Sequence, residues 1–531
     1  MALETQHHSV VEPDAAEFSN WLQRVGDFAR LDPHRIAVQS QSRSLSFGDL
    51  EREVQTLALA LREVGAGPGV EVAVCLDREP AAIVAFLAIL RIGGAYLPLD
   101  PGSPATHLAA VLESVPEALV VTSSDMQGRL PRTESKVLII GDRAVSSETP
   151  LSGGGIETVP DHFPAYIMFT SGSTGTPQGV VISRRALARY VVALDHAFGT
   201  TEDDVYLHTA SFSFSASTRQ LLAPLAAGAT IAIASEKTKR DPFLLLERMQ
   251  AWGVTVWDTV PSVWRIVEQV LSKIGAQDEA VEVSETLRQV LLTGEPLSWS
   301  LVQAWRRHLP PGVRVMNLYS QTETAGTVSV YAVPEDSSVS EGLVPFGEPL
   351  PGIELLLLDE DLKPVGPGME GEIFVASDRL ADGYLNAESQ SSQRFLRDLE
   401  IDRRYARVYR SGDFAHLGHD GTLTPAGRRD HRVKIRGFRL DLSEIETELG
   451  KDPNISQAVV CAEESERAGE SQLVAYVVPV ANTAMDAGEI RARLGESLPP
   501  QAVPGQILIE TDIPTNEIGR ASCRERVCLV V

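Results

Sequence analysis

The residues best suited to chemistry form a short turn after an apolar stretch. Residues 166–169 are apolar and predict a strand, and residues 170–175 then supply four hydroxyls and two glycines. Glycine lets a backbone approach an anion closely, and hydroxyl and N–H groups donate to phosphate oxygens. A flexible surface connection is the alternative, but the apolar segments on both sides disfavour it. No Gly-Lys-Ser/Thr ends the turn, so we predict a phosphate site unlike the P-loop of kinase-like NTPases.

Five further stretches carry polar residues suited to nucleotide chemistry. They are residues 91–101, 317–324, 371–374 together with 381–384, 409–413, and 427–437. With the phosphate turn, they resemble in type and order the motifs of the adenylate-forming superfamily, which includes acyl-CoA synthetases, firefly luciferase and nonribosomal peptide synthetase adenylation domains. The resemblance covers nearly the whole chain. It implies that a carboxylic acid reacts with ATP to give acyl-AMP and pyrophosphate.

The resemblance implies a role for each of these polar residues. Glu323 would hold Mg²⁺, a hard cation that prefers carboxylate and phosphate oxygens. Thr322 would contact the α-phosphate. In isolation, an acid, a tyrosine or a Gly-Asp pair is more often a solvated group, a core aromatic or a turn, but their combination favours a site. The full nucleotide set is Thr170, Ser171, Gly172, Ser173, Thr174 and Gly175 around the β- and γ-phosphates, Tyr319 stacked on adenine, Asp413 on the ribose with Arg428 nearby, and Asn317 and Thr322.

A mobile lid is implied by the last of these stretches. Asp430 matches the family's hinge position, where a small C-terminal domain swings between acyl-AMP formation and thioester formation. Backbone change at a hinge leaves both cores undisturbed. Lys434, just beyond the hinge, would serve the thioester-forming step. The alternative is a linker aspartate and a solvated lysine.

The acid-binding pocket departs from the pattern of amino-acid-activating members. Those members anchor the substrate ammonium with an aspartate, and Ser215 stands at that place after Phe214. A hydroxyl cannot replace the charge-assisted bond of a carboxylate, so a standard α-amino acid is disfavoured. By resemblance the pocket lining is Phe214, Ser215, Ala216, Arg219, Asp258, Leu291, Thr293, Leu318, Gly326 and Thr327.

Two charged residues stand out in that pocket, Arg219 and Asp258. An unpaired buried charge costs about 3–5 kcal/mol. Either the two side chains pair with each other or they meet complementary charges on the substrate, which would then be a polar or bifunctional acid. Exposure of Arg219 to solvent is a third alternative.

Two family lysines are missing. Gln178 stands where a lysine usually follows the phosphate turn. The C-terminal Asn-Gly-Lys should follow residue 516, but the chain there resembles a translated sequencing adapter, so we interpret residues 517–531 as a non-native tail. Arg520 is the nearest substitute, and arginine differs from lysine in geometry and hydration. We therefore expect slow adenylation by this chain.

Composition limits the classes of partner and compartment. The formal net charge is −25, from 72 acidic and 47 basic residues, which would repel nucleic acid. The longest apolar run, residues 81–90, is shorter than the ~20 residues of a membrane span. Residues 1–14 lack the apolar core of a secretory signal. Four cysteines without metal-type spacing suit a reducing cytoplasm.

The predicted elements that position these residues alternate between strand and helix. Apolar strand-like and helical segments alternate to about residue 292, which predicts layered α/β subdomains with mostly parallel sheet. Residues 352–375 predict a smaller antiparallel, β-barrel-like section. We expect a large core, residues 1–428, and a small mobile α+β lid, residues 429–516. A chain of 531 residues is too long for one core.

Three functions remain open from the sequence. The leading one is an adenylation domain that loads its acyl group onto the phosphopantetheine thiol of a carrier protein. The second is an acyl-CoA ligase for an aryl or short-chain acid. The third is a nucleotide-binding pseudoenzyme, supported only by the missing lysines.

Overall fold

The structure is a computed structural model that describes residues 16–141, 156–171, 177–274, 283–397, 406–430, 432–464, 471–481, 483 and 485–511. The predicted phosphate-turn residues Gly172, Ser173, Thr174 and Gly175 lie outside these ranges, as do the predicted tail and Arg520. The helices are α1 Ala16–Leu31, α2 Phe47–Glu63, α3 Pro80–Arg91, α4 Ala105–Glu113, α5 Arg184–Phe198, α6 Ser215–Ala227, α7 Glu236–Arg240, α8 Pro242–Ala251, α9 Pro261–Ile274, α10 Trp299–Trp305, α11 Glu388–Arg394, α12 Leu442–Gly450 and α13 Ala487–Ser497.

Within the described ranges, the strands fall into five sheets. The first part of the chain contributes β1 Ile36–Gln39, β2 Ser44–Ser46, β3 Glu71–Cys75, β4 Ala95–Pro98, β5 Leu119–Ser123, β6 Val137–Ile140, β7 Pro164–Thr170, β8 Gln178–Ser183, β9 Val205–His208, β10 Thr230–Ile233, β11 Val256–Thr259, β12 Gln289–Thr293, β13 Arg314–Gln321 and β14 Gly326–Ala332. The second part contributes β15 Glu348–Pro349, β16 Ile353–Leu358, β17 Glu370–Ser377, β18 Gly383–Tyr384, β19 Phe395–Arg397, β20 Arg407–Leu417, β21 Leu423–Arg428, β22 Arg432–Ile435, β23 Phe438–Asp441, β24 Ile455–Glu464, β25 Ser471–Pro479 and β26 Gln506–Ile509.

Two large sheets confirm the predicted layered α/β class. One has the strand order β18-β8-β7-β4-β3-β5-β6, and the other has the order β15-β14-β13-β12-β11-β9-β10-β1-β2. The inner strands of both run parallel, and antiparallel neighbours lie toward the ends. Because parallel sheets are covered on both faces, their strands and connecting helices are apolar.

Helix α3 shows how sequence dictates this layering. Pro80 occupies its first turn, where a missing N–H costs nothing, and residues 82–90 are all buried. A helix that is apolar on every side belongs inside a core rather than on a surface. No helix in the described ranges is both long and apolar enough to cross a membrane.

A third sheet, built from β16, β17, β19, β20 and β21, is antiparallel throughout, as predicted for the region that begins near Gly352. It ends at Arg428. The remaining strands form the hairpin β22–β23 and the sheet β24-β25-β26, which packs with α12 and α13 around its own core of Ile445, Leu449, Leu473, Val477 and Ile490. We call this C-terminal unit, from Arg432 onward, the lid. Asp430 lies in the short connection that precedes it.

Candidate functional site

A cavity of about 150 Å³ lies where the large core meets the lid. Its core side includes Thr170, Ser171, Phe214, Ser215, Ala216, Thr293, Gln321 and Thr322, and its lid side includes Lys434, Gly437, Arg439 and Glu444. Predicted phosphate, acid-binding and thioester-step residues therefore share one enclosure. Most of the core-side residues lie at or near the carboxyl ends of β7, β12 and β13, where loops of an α/β sheet place binding groups.

The hairpin β22–β23 reaches into this cavity through a tight turn. Arg436 and Gly437 have φ values of 50° and 78°, the pair of positive angles that a two-residue hairpin turn requires. The Gly437 N–H donates to Glu295 Oε1 at 2.8 Å. A Cβ at Gly437 would lie 2.5 Å from Val260 Cγ1, so only glycine fits. Phe438 then meets Phe214 edge to face, with ring centroids 4.5 Å apart.

Glu323, the predicted metal ligand, is held by the lid. Its side chain is 1% exposed, Tyr384 donates to Oε1 at 2.9 Å, and Arg439 Nη1 lies 2.8 Å from Oε2. Burial alone would raise the pKa of this carboxyl, but the Arg439 and Arg432 guanidiniums overcome burial and lower the pKa to about 2. Glu323 is thus ionised, as a cation ligand must be.

No cluster of three or more His, Cys, Asp or Glu side chains suited to a metal occurs within the described ranges. Mg²⁺ is usually bound by one or two carboxylates, with the rest of its shell from substrate phosphates and water, and Glu323 could supply one such carboxylate. Arg439 occupies Oε2, so a metal ion bound through that oxygen would compete with Arg439.

Residues predicted to bind adenosine form a connected, buried group. Asp413 accepts from the Tyr319 hydroxyl at 2.8 Å and from Gln321 and Arg428. Burial opposes ionisation, yet Arg428 and Lys434 outweigh it and lower the pKa of the Asp413 carboxyl. Tyr319 packs against Phe346, whose ring centroid is 4.5 Å away. Asn317, by contrast, donates to the carbonyls of Val344 and Pro345, so it holds the loop that carries Phe346.

The predicted hinge residue is an ion-pair centre. Asp430 contacts Arg428 Nη2 at 2.8 Å and Arg394 Nη2 at 3.4 Å. Burial alone would raise the pKa of the Asp430 carboxyl, but the neighbouring arginines outweigh burial and lower the pKa to about 2. Arg428 therefore links the residue predicted for the ribose, Asp413, with the residue predicted for the hinge.

Ser171, at the described start of the phosphate turn, also touches the lid. Ser171 Oγ donates to the Arg439 carbonyl at 3.0 Å and accepts from the Asp441 N–H at 3.0 Å. Thr170 pairs with Gln178 at the end of the antiparallel strands β7 and β8, and its hydroxyl donates to the Gln178 carbonyl at 3.4 Å. Ser171 therefore lies directly against the hairpin.

The predicted acid pocket divides into two groups. Phe214, Ser215, Ala216 and Thr293 line the cavity, and Ser215 accepts from the Thr322 hydroxyl at 3.1 Å. Arg219 and Asp258 form a buried ion pair with each other. Among the described residues that line the cavity, none belongs to the second group, which comprises Arg219, Asp258, Leu291, Leu318, Gly326 and Thr327.

Sequence reasoning did not identify Arg439, Glu295 or Tyr384 as site residues. A signal for Arg439 exists, because a two-residue turn at Arg436 and Gly437 pairs position 434 with position 439, as the register shows. Tyr384 closes one of the motif stretches, residues 381–384, which was the available signal for it. Glu295 lies in none of the motif stretches, and its partner in the hairpin, Gly437, is 142 residues away.

Glu444, in the first turn of α12, gives the lid a pH-dependent stability. Burial, together with the charges of Asp441 and Glu448, raises its pKa from 4.5 to about 7. The folded lid holds a proton that the unfolded chain releases above its lower pKa. The free energy of unfolding should therefore fall as pH rises from about 4.5 to 7, by at most about 1.4 kcal/mol per pH unit for one proton.

A Glu444→Gln variant should lack that dependence. We expect its melting temperature to match the wild type near pH 4.5 and to exceed it increasingly up to pH 7.5. The control is Glu489→Gln, an exposed acid in the first turn of α13. Parallel melting curves for wild type and Glu444→Gln across this pH range would contradict the assignment.

Known proteins resemble the chain along most of its length. The sequence profile described as AMP-binding enzyme matches residues 26–385, and the AMP-binding enzyme C-terminal domain matches residues 444–520. The dimodular nonribosomal peptide synthase of Bacillus subtilis (strain 168) is 34% identical over 93% of this chain, which spans 20% of that protein. Enterobactin synthase component F of Escherichia coli (strain K12) is 32% identical over 93% of this chain, which spans 38% of that protein.

The fold has solved counterparts. The structure of holo-PA1221, an NRPS protein containing adenylation and PCP domains, superposes with a TM-score of 0.80 at 25% identity, over 96% of this chain and 83% of that one. The family profiles, the relatives and the shared two-part architecture agree with the motifs in the sequence. The chain belongs to the AMP-binding enzyme family and is an adenylate-forming ligase of the nonribosomal-peptide adenylation type.

Proposed function

We propose that the chain reacts a carboxylic acid with ATP to form acyl-AMP and pyrophosphate, and then passes the acyl group to the phosphopantetheine thiol of a carrier protein with release of AMP. The observation that supports the proposal is that Thr170, Ser171 and Thr322 line the same cavity as Lys434 on the lid. Its two walls supply groups for two successive reactions on one acyl group.

In the first reaction, the chain's residues orient the acid and the nucleotide. A carboxylate is a poor electrophile toward a thiol, so it is activated first. Its oxygen attacks the α-phosphorus in line with the departing pyrophosphate, and the charge on the phosphates must be neutralised. We assign the α-phosphate to Thr322, the ribose to Asp413, adenine to Tyr319 and the β- and γ-phosphates to the turn at residues 170–175. Mg²⁺ at Glu323 would supply positive charge to the phosphate oxygens. Thr322 and Ser215 share a hydrogen bond, which links the phosphate contact to the acid pocket.

For the second reaction, we assign the acceptor to a carrier protein. The B. subtilis and E. coli relatives are a nonribosomal peptide synthase and an enterobactin synthase component, and holo-PA1221 carries a PCP domain beside its adenylation domain. CoA is the alternative acceptor, because it presents the same pantetheine thiol.

The testing experiment is acid-dependent ATP–pyrophosphate exchange with a panel of carboxylic and amino acids. Exchange with at least one acid supports the proposal, and no exchange with any of them supports the pseudoenzyme instead. Thioester formation with a holo-carrier protein and with CoA, measured in parallel, then assigns the acceptor.

Ser215→Asp should redirect substrate choice toward α-amino acids. The new carboxylate would attract an α-ammonium group and repel an acid that lacks one. We expect exchange with the best non-amino acid to fall about 10-fold or more, the effect of about 1.4 kcal/mol of unfavourable interaction. Ser215→Asn, neutral and of similar size, is the matched control. Equal substrate profiles for the two variants would remove the proposed role of position 215.

A further inference from the structure

Glu295 lies at the point where the core meets the turn of the lid's hairpin. It follows Gly294 just after β12, and its carboxylate accepts hydrogen bonds from both parts of the protein. From the core, the Ser262 N–H donates to Oε2 at 2.8 Å and the Ser262 hydroxyl donates to Oε1 at 3.1 Å. From the lid, the Gly437 N–H donates to Oε1 at 2.8 Å. One carboxylate therefore joins the first turn of α9 to the hairpin.

The charge of Glu295 suits both partners. Ser262 is the second residue of α9, and N–H groups in the first turn of a helix lack intrahelical acceptors and favour an anion. Burial raises the pKa of the Glu295 carboxyl, while the Ser262 and Gly437 N–H groups and the Arg265 charge oppose that rise. The N–H from the lid thus helps to keep the carboxylate ionised, and the carboxylate holds the N–H in return.

Backbone packing sets how closely the hairpin turn can approach the core. A Cβ at Gly437 would lie 2.5 Å from Val260 Cγ1, and a Cβ at Gly294 would lie 3.2 Å from Gly437 Cα. The turn is therefore already in close contact with the core. Each such contact attracts only weakly. The directional hydrogen bond to Glu295 is the polar contact that fixes the turn against these surfaces.

The register of the hairpin carries this position to Lys434. Arg436 and Gly437 form the turn, and Lys434 pairs with Arg439 on the strands beside it. Lys434 lines the cavity, and its ammonium lies 5.8 Å from the centre of the Tyr319 ring. Movement of the turn away from Glu295 would move Lys434 with it. A misplacement of about 1 Å can slow a reaction about 100-fold.

Resting on the proposed function, we propose that Glu295 anchors the hairpin turn to the core during acyl transfer and thereby positions Lys434 for that step. Glu295 is a positioning residue, since it is not among the described residues that line the cavity. Lys434 is the residue assigned to the thioester-forming step, so loss of the anchor should slow transfer more than acyl-AMP formation. The competing account is that Glu295 only caps α9.

Amide hydrogen–deuterium exchange tests the anchor without any activity. Glu295→Ala removes both carboxylate oxygens, so the Gly437 amide, followed in peptides that cover residues 434–439, should exchange about 10-fold faster or more, the scale of one lost buried hydrogen bond. The matched control is Ser262→Ala, which removes a core contact of Glu295 and keeps its contact with the lid. Its Gly437 amide should exchange as in the wild type. Unchanged exchange of residues 81–90 shows that the variants are folded.

The ratio of two rates tests the positioning role. The first is single-turnover transfer of preformed acyl-AMP to holo-carrier protein or CoA, whichever accepts the acyl group from the wild type, and the second is ATP–pyrophosphate exchange. In Glu295→Ala the ratio of transfer to exchange should fall about 10-fold or more. In Ser262→Ala it should match the wild type. Equal losses of both rates in Glu295→Ala would leave only the cap on α9 and overturn the proposal.

The outcomes separate this proposal from the one it rests on. If no acid supports ATP–pyrophosphate exchange in the wild type, the proposed function fails and the positioning role fails with it, whereas faster amide exchange at Gly437 in Glu295→Ala would still establish the contact. If the wild type is active but its Gly437 amide exchanges as fast as in Glu295→Ala, the function stands and the anchor is overturned.

Discussion

Glu323→Gln is expected to reduce acid-dependent ATP–pyrophosphate exchange about 100-fold or more, the scale for losing a preorganised electrostatic contact. The substitution keeps the shape of the side chain and its contact with Tyr384 but removes the charge. Glutamine cannot supply the anionic oxygen that Mg²⁺ prefers. The measurement is the exchange rate over a Mg²⁺ titration. A rate within a few-fold of wild type at saturating Mg²⁺ would remove Glu323 from the metal site.

Arg439→Gln is the matched partner of that variant, because it takes away the cation that occupies Glu323 in this structure. If metal and Arg439 compete for one carboxylate, the Mg²⁺ concentration for half-maximal exchange should fall in Arg439→Gln. Exchange itself should persist. An unchanged or higher Mg²⁺ requirement would contradict the competition.

The second large effect is expected at Lys434. Lys434→Gln should slow acyl transfer to the thiol about 100-fold, the scale of one lost transition-state electrostatic contact, while exchange stays within a few-fold of wild type. The Lys434 ammonium lies 5.8 Å from the centre of the Tyr319 ring and close to Asp413. Burial lowers the pKa of this ammonium, and the Asp413 charge opposes that effect. The Lys434 ammonium thus lies beside Tyr319 and Asp413, two of the residues predicted to bind the nucleotide.

Single-turnover transfer of preformed acyl-AMP to a holo-carrier protein isolates this step. The control is Arg436→Asn, which removes an exposed charge from the same hairpin and retains a residue that tolerates a positive φ. Equal losses of exchange and transfer in Lys434→Gln would show that Lys434 has no step-specific role.

The sequence predicted those features that depend on local pattern or motif order. The fully apolar α3, the antiparallel section after Gly352 and the gathering of Thr170, Thr322 and Lys434 around one cavity all follow from such signals. The sheet order was not predictable, because β9 lies between β10 and β11 only through contacts remote in sequence. For Arg219 and Asp258, 39 residues apart, the sequence left pairing as one alternative, since only the placement of α6 beside β11 brings them together.

The turn at Gly437 docks by main chain rather than by side chain. The Gly437 backbone lies close to Gly294, where an added Cβ would be 3.2 Å from Gly437 Cα. The Gly437 N–H donates a hydrogen bond to Glu295. A backbone contact restrains no flexible side chain at the turn itself, so little rotamer entropy is lost when the surfaces meet. Close fit and easy separation are then compatible, and a lid that swings between two reactions, as the sequence resemblance implies, would require both.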